Sequence, residues 1–364
     1  MKKVLVFKYS HLDKQQIFDY NYNIVKRFTT LIRIVKMVTI SDVAKKAGVG
    51  ISTVSYVLNK TGLNKVGLKT QERIRAAAAE LHYTPNIAGK ALKKGVTYTV
   101  GVLFPNIRGT FAFNILAGLE DELNLAGYSM LLCRYCDEED FESKCQLLCG
   151  KQIDGVIILN VHDNHIDVIR KLDQVHPVTF LARKQTIPEI PAVCVDGYQI
   201  YHLAIRHFIE QGHRKIVVQS GTNASNIQGA DDAIGNSGAE LFFTPLEICS
   251  GQALLDWGLT LKERPTAFLA FSDAFAFEFI GYAIDCGFRI PDDFSIIGVD
   301  GDEFGALIRP ALTTIQQPSI AQGATAAKQL LSKIREGQAD NIVMQPQLLV
   351  RQSVKKISTG GRHD

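Results

Sequence analysis

The chain has 364 residues, 46% of them hydrophobic, and a formal net charge of +3 at pH 7. That length exceeds what one small core needs, and no run approaches 18 uninterrupted apolar residues, so no membrane-spanning helix is expected. Seven cysteines, an odd number without a secretion signal, point to reduced thiols in a cytoplasm.

Residues 1–37 hold eight Lys/Arg and two Asp/Glu. The apolar run Val4–Phe7 is too short for a signal-peptide core. This extension is expected to be disordered or untranslated, since Met37 directly precedes VTISDVA. A basic arm on DNA phosphates is the alternative.

Residues 38–84 read as a compact helical unit. Val43, Ala44 and Ala47 recur at helical spacing, predicting a helix over about Ser41–Ala47 that Gly48 ends. A second helix is expected over about Ser52–Leu58, with Val54, Val57 and Leu58 inward. Its other face carries Ile51, Ser52, Ser55, Tyr56 and Asn59. Hydroxyls and an amide, with few charges, suit reading base edges and holding phosphates. Two short helices and a tight turn make a helix-turn-helix pattern with the second helix as reader. A third helix, TQERIRAAAAELHY, is expected from an N-cap at Thr70 to a stop at Pro85.

Charge divides along the chain. Residues 38–95 hold ten Lys/Arg against three Asp/Glu, while residues 96–364 carry a net charge of −10. A basic head on an acidic body suits a nucleic-acid binder whose body stays off DNA. From Tyr98, short apolar runs alternate with helical stretches: TVGVLFP, YSMLLC, VIIL, VTFLA, KIVVQS, AFLAFS and FSIIGVD. That pattern implies parallel α/β sheets in two lobes.

The stretches TISDVAKKAGV, STVSYVLN, KTQERI and LHYTPN resemble the lactose-repressor (LacI-type) family of transcriptional regulators. So do VDGYQIYHLAIRHFIEQGHRKI, RPTAFLAFSD, GFRIPDDFSIIGVD and PALTTIQQP. The resemblance spans about Val38–Val354. It implies an all-α helix-turn-helix headpiece followed by an α/β two-lobed core like periplasmic binding proteins. The implied boundaries are a headpiece over 38–84, a hinge over 85–96 and a core over 97–354. Within the core, one lobe takes about 97–194 and 317–345, the other about 195–316 and 346–354. Residues 355–364 form a tail without an apolar heptad.

By the same resemblance, Ile51, Ser52 and Tyr56 read the major groove, while Thr53, Ser55 and Asn59 hold phosphates. Thr39, at the start of the first helix, joins this DNA-binding set. Asn86, Lys90 and Leu92 belong to a hinge helix, with Leu92 the minor-groove wedge. Candidate effector residues are Phe111, Arg183, Asn223, Ser225, Asp231, Asp273 and Asp300. Gly50 stands where the family usually has Ser, and Gly89-Lys90 where it usually has Ala-Arg. The family's cleft arginine, in the pattern R-x-x-G-[FY], is expected to be replaced here by Asp231.

Three carboxylates and no arginine would favour a polyol or amine-bearing effector over an acid. Double-stranded DNA with a pseudo-palindromic operator and a second copy of the chain are the expected partners, without a membrane. Neither G-x-S-x-G, Walker A nor H-E-x-x-H occurs, so no enzyme is expected. Cys133-x2-Cys136 and Cys145-x3-Cys149 read as core and surface thiols, with no metal or other cofactor expected. His162 and His165 flank a helix start that Asp163 or Asn164 would cap. The alternatives are a solute-binding module without a DNA role, or a regulator whose effector control has been lost.

Overall fold

The structure, a computed structural model, describes residues 38–84, 95–105, 110–159, 165–182, 187–220 and 224–357. It divides into two compact units between Lys93 and Lys94.

The first unit holds α1 (Ile40–Ala47), α2 (Ile51–Leu58), a 3-10 turn (Leu63–Lys65) and α3 (Leu68–Glu80). Thr39 and Asp42 open α1 with a reciprocal capping box. The Thr39 hydroxyl accepts from the Asp42 N–H, and the Asp42 carboxylate accepts the Thr39 N–H at 2.8 Å. Gly48 closes the helix at φ +62°, where its N–H reaches the Ala44 and Lys45 carbonyls. A β-carbon is strained in that conformation, so glycine fixes the sharp turn into α2. Val43, Ala47, Val54, Val57 and Ile74 form the buried centre.

α3 starts two residues before the expected Thr70 cap, with Gly67 at its N-cap. Gln71 accounts for the difference. Its buried amide donates to the Leu63 carbonyl at 2.9 Å and the Val66 carbonyl at 2.8 Å. The first turn of α3 thereby holds the preceding loop. The helix ends at Glu80, well ahead of Pro85, and His82 turns the chain at φ +50°.

The second unit contains two six-stranded sheets. The first uses β1 (Thr99–Pro105), β2 (Ser129–Tyr135), β3 (Gly155–Leu159), β4 (Val178–Ala182), β5 (Ala192–Val195) and β11 (Ile342–Met344). The second uses β6 (Lys215–Val218), β7 (Glu240–Phe243), β8 (Ala267–Leu269), β9 (Ser295–Asp300), β10 (Thr313–Gln316) and β12 (Gln347–Leu349). The orders are β11-β5-β4-β3-β1-β2 and β12-β10-β9-β8-β6-β7. All pairings are parallel except β10 with β12. The register sets Val102 beside Leu132 and Ile157, and Thr314 beside Gly298. Each sheet has an apolar cluster on both faces, which is why central strands such as GVIIL are buried throughout.

Helices α4 (Thr110–Leu125), α5 (Glu138–Gly150), α6 (Ile166–Asp173) and α11 (Ser319–Glu336) cover the first sheet. Helices α7 (Gly197–Glu210), α8 (Ala224–Ile234), α9 (Gly251–Leu259) and α10 (Asp273–Asp285) cover the second. The chain passes between the lobes three times, after β5, β10 and β11. The thiols Cys133 and Cys145 are buried in the first-lobe core, and burial pushes Cys145 up to about 12. His165 begins α6 with its ring stacked on Phe141 at 4.1 Å, while Asp163 and Asn164 lie outside the described residues. No helix among the described residues is long and apolar enough to cross a membrane.

The last described residues are pinned to the second lobe by His213. This fully buried ring contacts the Thr266 hydroxyl through Nδ1 at 2.9 Å and the Lys355 carbonyl through Nε2 at 3.1 Å. A carbonyl only accepts, so Nε2 carries the proton and Nδ1 accepts from Thr266. Burial holds this neutral ring down to about 4. An unfolded histidine titrates near 6.5, so between pH 6.5 and 4 the unfolded chain binds the extra proton and His213 loses its stabilising contribution. The stability difference between the wild type and His213→Gln should therefore shrink as pH falls across that window. Urea unfolding at pH 7.5 and 5 measures it, and a pH-independent difference would contradict the neutral assignment.

Candidate functional site

Two sites emerge, one in each unit. In the first, α2 buries Val54 and Val57 and turns Ile51, Ser52 and Tyr56 to solvent. Ile51 is 50% exposed and Tyr56 39%. Thr53, Ser55 and Asn59 are half-buried along the edge of this face. The Asn59 amide donates to the Ser55 hydroxyl at 2.9 Å, so the two are held together one turn apart. Tyr56 is steadied by its surroundings. Its ring lies so close to Gly62 that a β-carbon there would sit 3.2 Å away, and the Lys65 ammonium is 5.7 Å from the ring centroid. Gly50 is the N-cap of α2 and offers no side-chain bond. The first N–H groups of the reading helix keep their hydrogen-bonding capacity for an anion. Thr39, by contrast, spends its hydroxyl on Asp42 at 2.7 Å. Asn86, Lys90 and Leu92 lie outside the described residues.

The second site is a cleft of about 630 Å³, mouth included, between the lobes. From the first lobe come Phe111, Ile115, Leu159, Leu181 and Gln322. From the second come Ile200, Tyr201, Asn226, Phe271 and Val299, with Val195, Gly197 and Gln317 at the crossovers. Several of these stand at or just past the carboxyl ends of parallel strands, where open α/β sheets bind ligands. Gln219 organises the second-lobe wall. Its amide donates to the Ile248 carbonyl at 2.9 Å and accepts from the Phe271 N–H at 2.9 Å. Its carbonyl accepts from the Tyr201 hydroxyl at 3.1 Å.

Helix packing sets which residues face the cleft. A β-carbon on Gly323 would lie 2.1 Å from the Ile115 carbonyl, and one on Gly118 2.0 Å from that of Ile320. α4 and α11 thus touch backbone to backbone, which brings Ile115 and Gln322 to one wall. In the second lobe, a β-carbon on Gly229 would lie 2.1 Å from the Tyr198 carbonyl, fixing α8 against α7. One turn before Gly229 stands Asn226, 6% exposed and in the cleft.

That register corrects the expectation for the cleft arginine. In R-x-x-G, the arginine precedes the glycine by three residues. The glycine packed into the helix pair is Gly229, so the position is Asn226. Asp231 is exposed on the outer side of α8 and does not line the cleft. Ser225 is likewise exposed, near the start of α8. Phe111 does line the cleft and also packs on the first-lobe core.

Neither of the other two carboxylates is among the described cleft-lining residues. Asp273, 1% exposed, accepts from the Thr314 hydroxyl and from the Asp302 N–H, both at 2.6 Å, and burial pushes it up to about 6. Asp300, at φ 128°, accepts from the Gln317 amide at 2.9 Å, which steadies a residue that does reach the cleft. Arg183 and Asn223 lie outside the described residues. Sequence reasoning missed Asn226, Gln317 and Gln322. Counting back three from the helix glycine would have found the first.

Among the described residues, one side-chain hydrogen bond away from the crossover segments joins the lobes. The Thr110 hydroxyl, on the first residue of α4, donates to the Asp302 carboxylate at 2.6 Å. The same carboxylate caps the 3-10 turn Glu303–Ala306 through the Phe304 N–H. Thr110→Val should remove this link while keeping the side-chain shape. A bond to a charged acceptor contributes about 1.5–3 kcal/mol. Faster hydrogen exchange at 110–115 and 302–307, with unchanged exchange at 213–218, is expected. Uniform exchange everywhere would mean that Thr110 does not hold the lobes.

Comparison with known proteins fits both sites. A model of the bacterial regulatory proteins of the lacI family matches residues 39–86, and one of a periplasmic binding protein-like domain matches residues 205–354. Catabolite control protein A of Priestia megaterium is 31% identical over 336 residues, covering 87% of this chain and 99% of that protein. The HTH-type transcriptional repressor PurR of Aliivibrio fischeri (strain MJ11) is 31% identical over 339 residues, covering 87% and 98%. Among solved structures, the lac repressor dimer bound to operator and the anti-inducer ONPF superposes with a TM-score of 0.75. It covers 88% of this chain and all of that one at 23% identity, a likeness of fold. A helix-turn-helix with a polar reading face, two α/β lobes around a cleft and relatives matched almost end to end place this chain in the LacI family of bacterial regulatory proteins.

Proposed function

We propose that this chain is a sequence-specific transcriptional repressor that binds a pseudo-palindromic operator as a homodimer in the cytoplasm. The observation that carries this reading is the outward face of α2. A helix whose exposed side holds Ile51, Ser52 and Tyr56, with Asn59 at its edge and no Lys or Glu on it, is built for base edges rather than for water. One reading helix per subunit needs a two-fold site, which motivates the dimer. The relatives named above are themselves a repressor and a control protein. The working division is headpiece 38–84, hinge 85–96 and core 97–354, with Asn86, Lys90 and Leu92 at the minor groove.

The cleft is the place for a small-molecule effector, and shifts in lobe closure are the means of control. The polyol half of the expected effector class keeps support, because the polar side chains of the described lining are uncharged amides and a tyrosine hydroxyl. The amine half does not, because no carboxylate lines it among the described residues.

Operator fragments selected from random DNA test the reading. Tyr56→Ala should weaken the selected site by about 1–3 kcal/mol and relax preference at one position in each half-site. Lys90→Ala should weaken all sequences more evenly and flatten the salt dependence. If Tyr56→Ala lowers affinity uniformly while Lys90→Ala changes base preference, the docking is wrong. Selection of no sequence at all would remove the operator function.

A further inference from the structure

We propose that Asp154 is a specificity-determining residue for the spacing between the two half-sites of the operator. By clamping Thr97 and Tyr98 it sets the point at which the hinge enters the core. The clamp lies wholly within the second unit, while its meaning for DNA rests on the repressor reading above.

Asp154 is half-buried and directly precedes β3. One of its carboxylate oxygens accepts from the Thr97 N–H at 2.9 Å and from the Thr97 hydroxyl at 3.0 Å. The other accepts from the Tyr98 N–H at 2.7 Å. Bonds to an ionised acceptor are the stronger kind. The Asp154 N–H donates in turn to the Thr99 carbonyl at 2.8 Å, and the Tyr98 carbonyl accepts from the Ser129 N–H at 2.8 Å. Tyr98 sits at φ +53°, with its ring edge-on to Tyr128 at 5.4 Å. A tyrosine holds that left-handed conformation only where its surroundings impose it.

The sheet itself does not need this anchor. β1 begins at Thr99 and lies between β3 and β2, with parallel partners on both sides. Pairing would hold the chain from Thr99 onward, whereas Asp154 fixes it from Thr97. What the clamp controls is reach. Residues 85–96 connect the headpiece to it. Each residue released adds at most about 3.3–3.6 Å of chain. Freeing Thr97 and Tyr98 gives about 7 Å per subunit, roughly two base-pair rises of ~3.4 Å. A change of two base pairs also turns one half-site by about 70° around the duplex. A tether matched to its span gives the highest effective concentration at one separation, and a longer one spreads it over the neighbours.

The test uses the full chain and DNA carrying the selected half-site in two inverted copies, with spacers varied one base pair at a time. Gel-shift titration reads affinity. The wild type should prefer one spacing over those two base pairs away by tenfold or more. Asp154→Ala, checked for a cooperative melt, should cut that ratio to threefold or less, with base preference inside each half-site unchanged. Asp154→Asn keeps the shape with a weaker acceptor and should fall between. Two glycines inserted after Gly95 lengthen the tether with Asp154 in place, and should broaden the spacing as Asp154→Ala does. Hydrogen exchange without DNA reads the clamp itself. The Thr97 and Tyr98 amides should exchange slowly in the wild type and the insertion variant, and fast in Asp154→Ala. Fast exchange of both in the wild type overturns the proposal. So does a spacing preference that survives Asp154→Ala or the insertion, or a change in base preference in place of spacing. Slow exchange in a wild type that selects no operator would sink the repressor reading while leaving the clamp in place.

Discussion

Backbone contact between helices is the constraint on which the core's working parts depend. At Gly118, Gly323 and Gly229, a β-carbon would overlap a carbonyl oxygen of the facing helix. A side chain at any of them would force the facing helix backbone to shift, and packed interiors resist such shifts. The consequence is positional. α4 and α11 are locked so that Ile115 and Gln322 share one wall. α7 and α8 are locked so that Tyr201 and Asn226 share the other. The cleft chemistry is therefore set by helix register, and register is set by three residues that never touch a ligand.

The headpiece was legible in the sequence because its signals are local. The capping residues, the Gly48 turn and the alternation of Val43, Val54 and Val57 with polar faces all act within a few residues. The central strands were legible for the same reason, being runs of four or more buried aliphatics. Strands β5, β7, β10 and β11, of three or four residues each, were not singled out. The start of α3 was missed because Gln71 reaches back to Leu63 and Val66, a side-chain bond that no pattern of propensity encodes. The cleft was partly legible. Phe111 was found through the family resemblance, but the arginine position was set five residues late. Adjacent acids at 231 and 232 drew the eye, whereas Gly229, the residue that fixes the helix, carries no chemistry of its own. Asp273 and Asp300 sit where strand-end carboxylates of binding clefts sit. Nothing in the sequence revealed that Thr314, Asp302 and Gln317 would already hold them.

Charge is distributed by task. Lys and Arg outnumber acids ten to three over residues 38–95, while the rest of the chain to its end is net negative. That asymmetry attracts one end of the molecule to phosphate and keeps the other away, a long-range effect that falls with salt. Inside the cleft the principle inverts. There the described lining is uncharged. The same chain thus uses charge where its partner is a polyanion and neutrality where water is excluded.

The link between lobes shows how these parts could communicate. The Thr110 hydroxyl bonds Asp302, the Asp302 N–H bonds Asp273, and Asp273 bonds the Thr314 hydroxyl within β10. Four residues make a continuous hydrogen-bonded path from the first turn of α4 to the interior of the second sheet. The same Asp302 carboxylate caps the short turn that presents Phe304, 51% exposed, with Leu307, 70% exposed, just beyond it. A change in lobe separation cannot alter the Thr110 bond without altering the electrostatics of that cap. Coupling needs an element that two sites both bias. Here the cleft biases it through α4, which carries Phe111 and Ile115, and the surface biases it through the capped turn. The connection is short and every bond in it is buried or half-buried, so solvent screens it little.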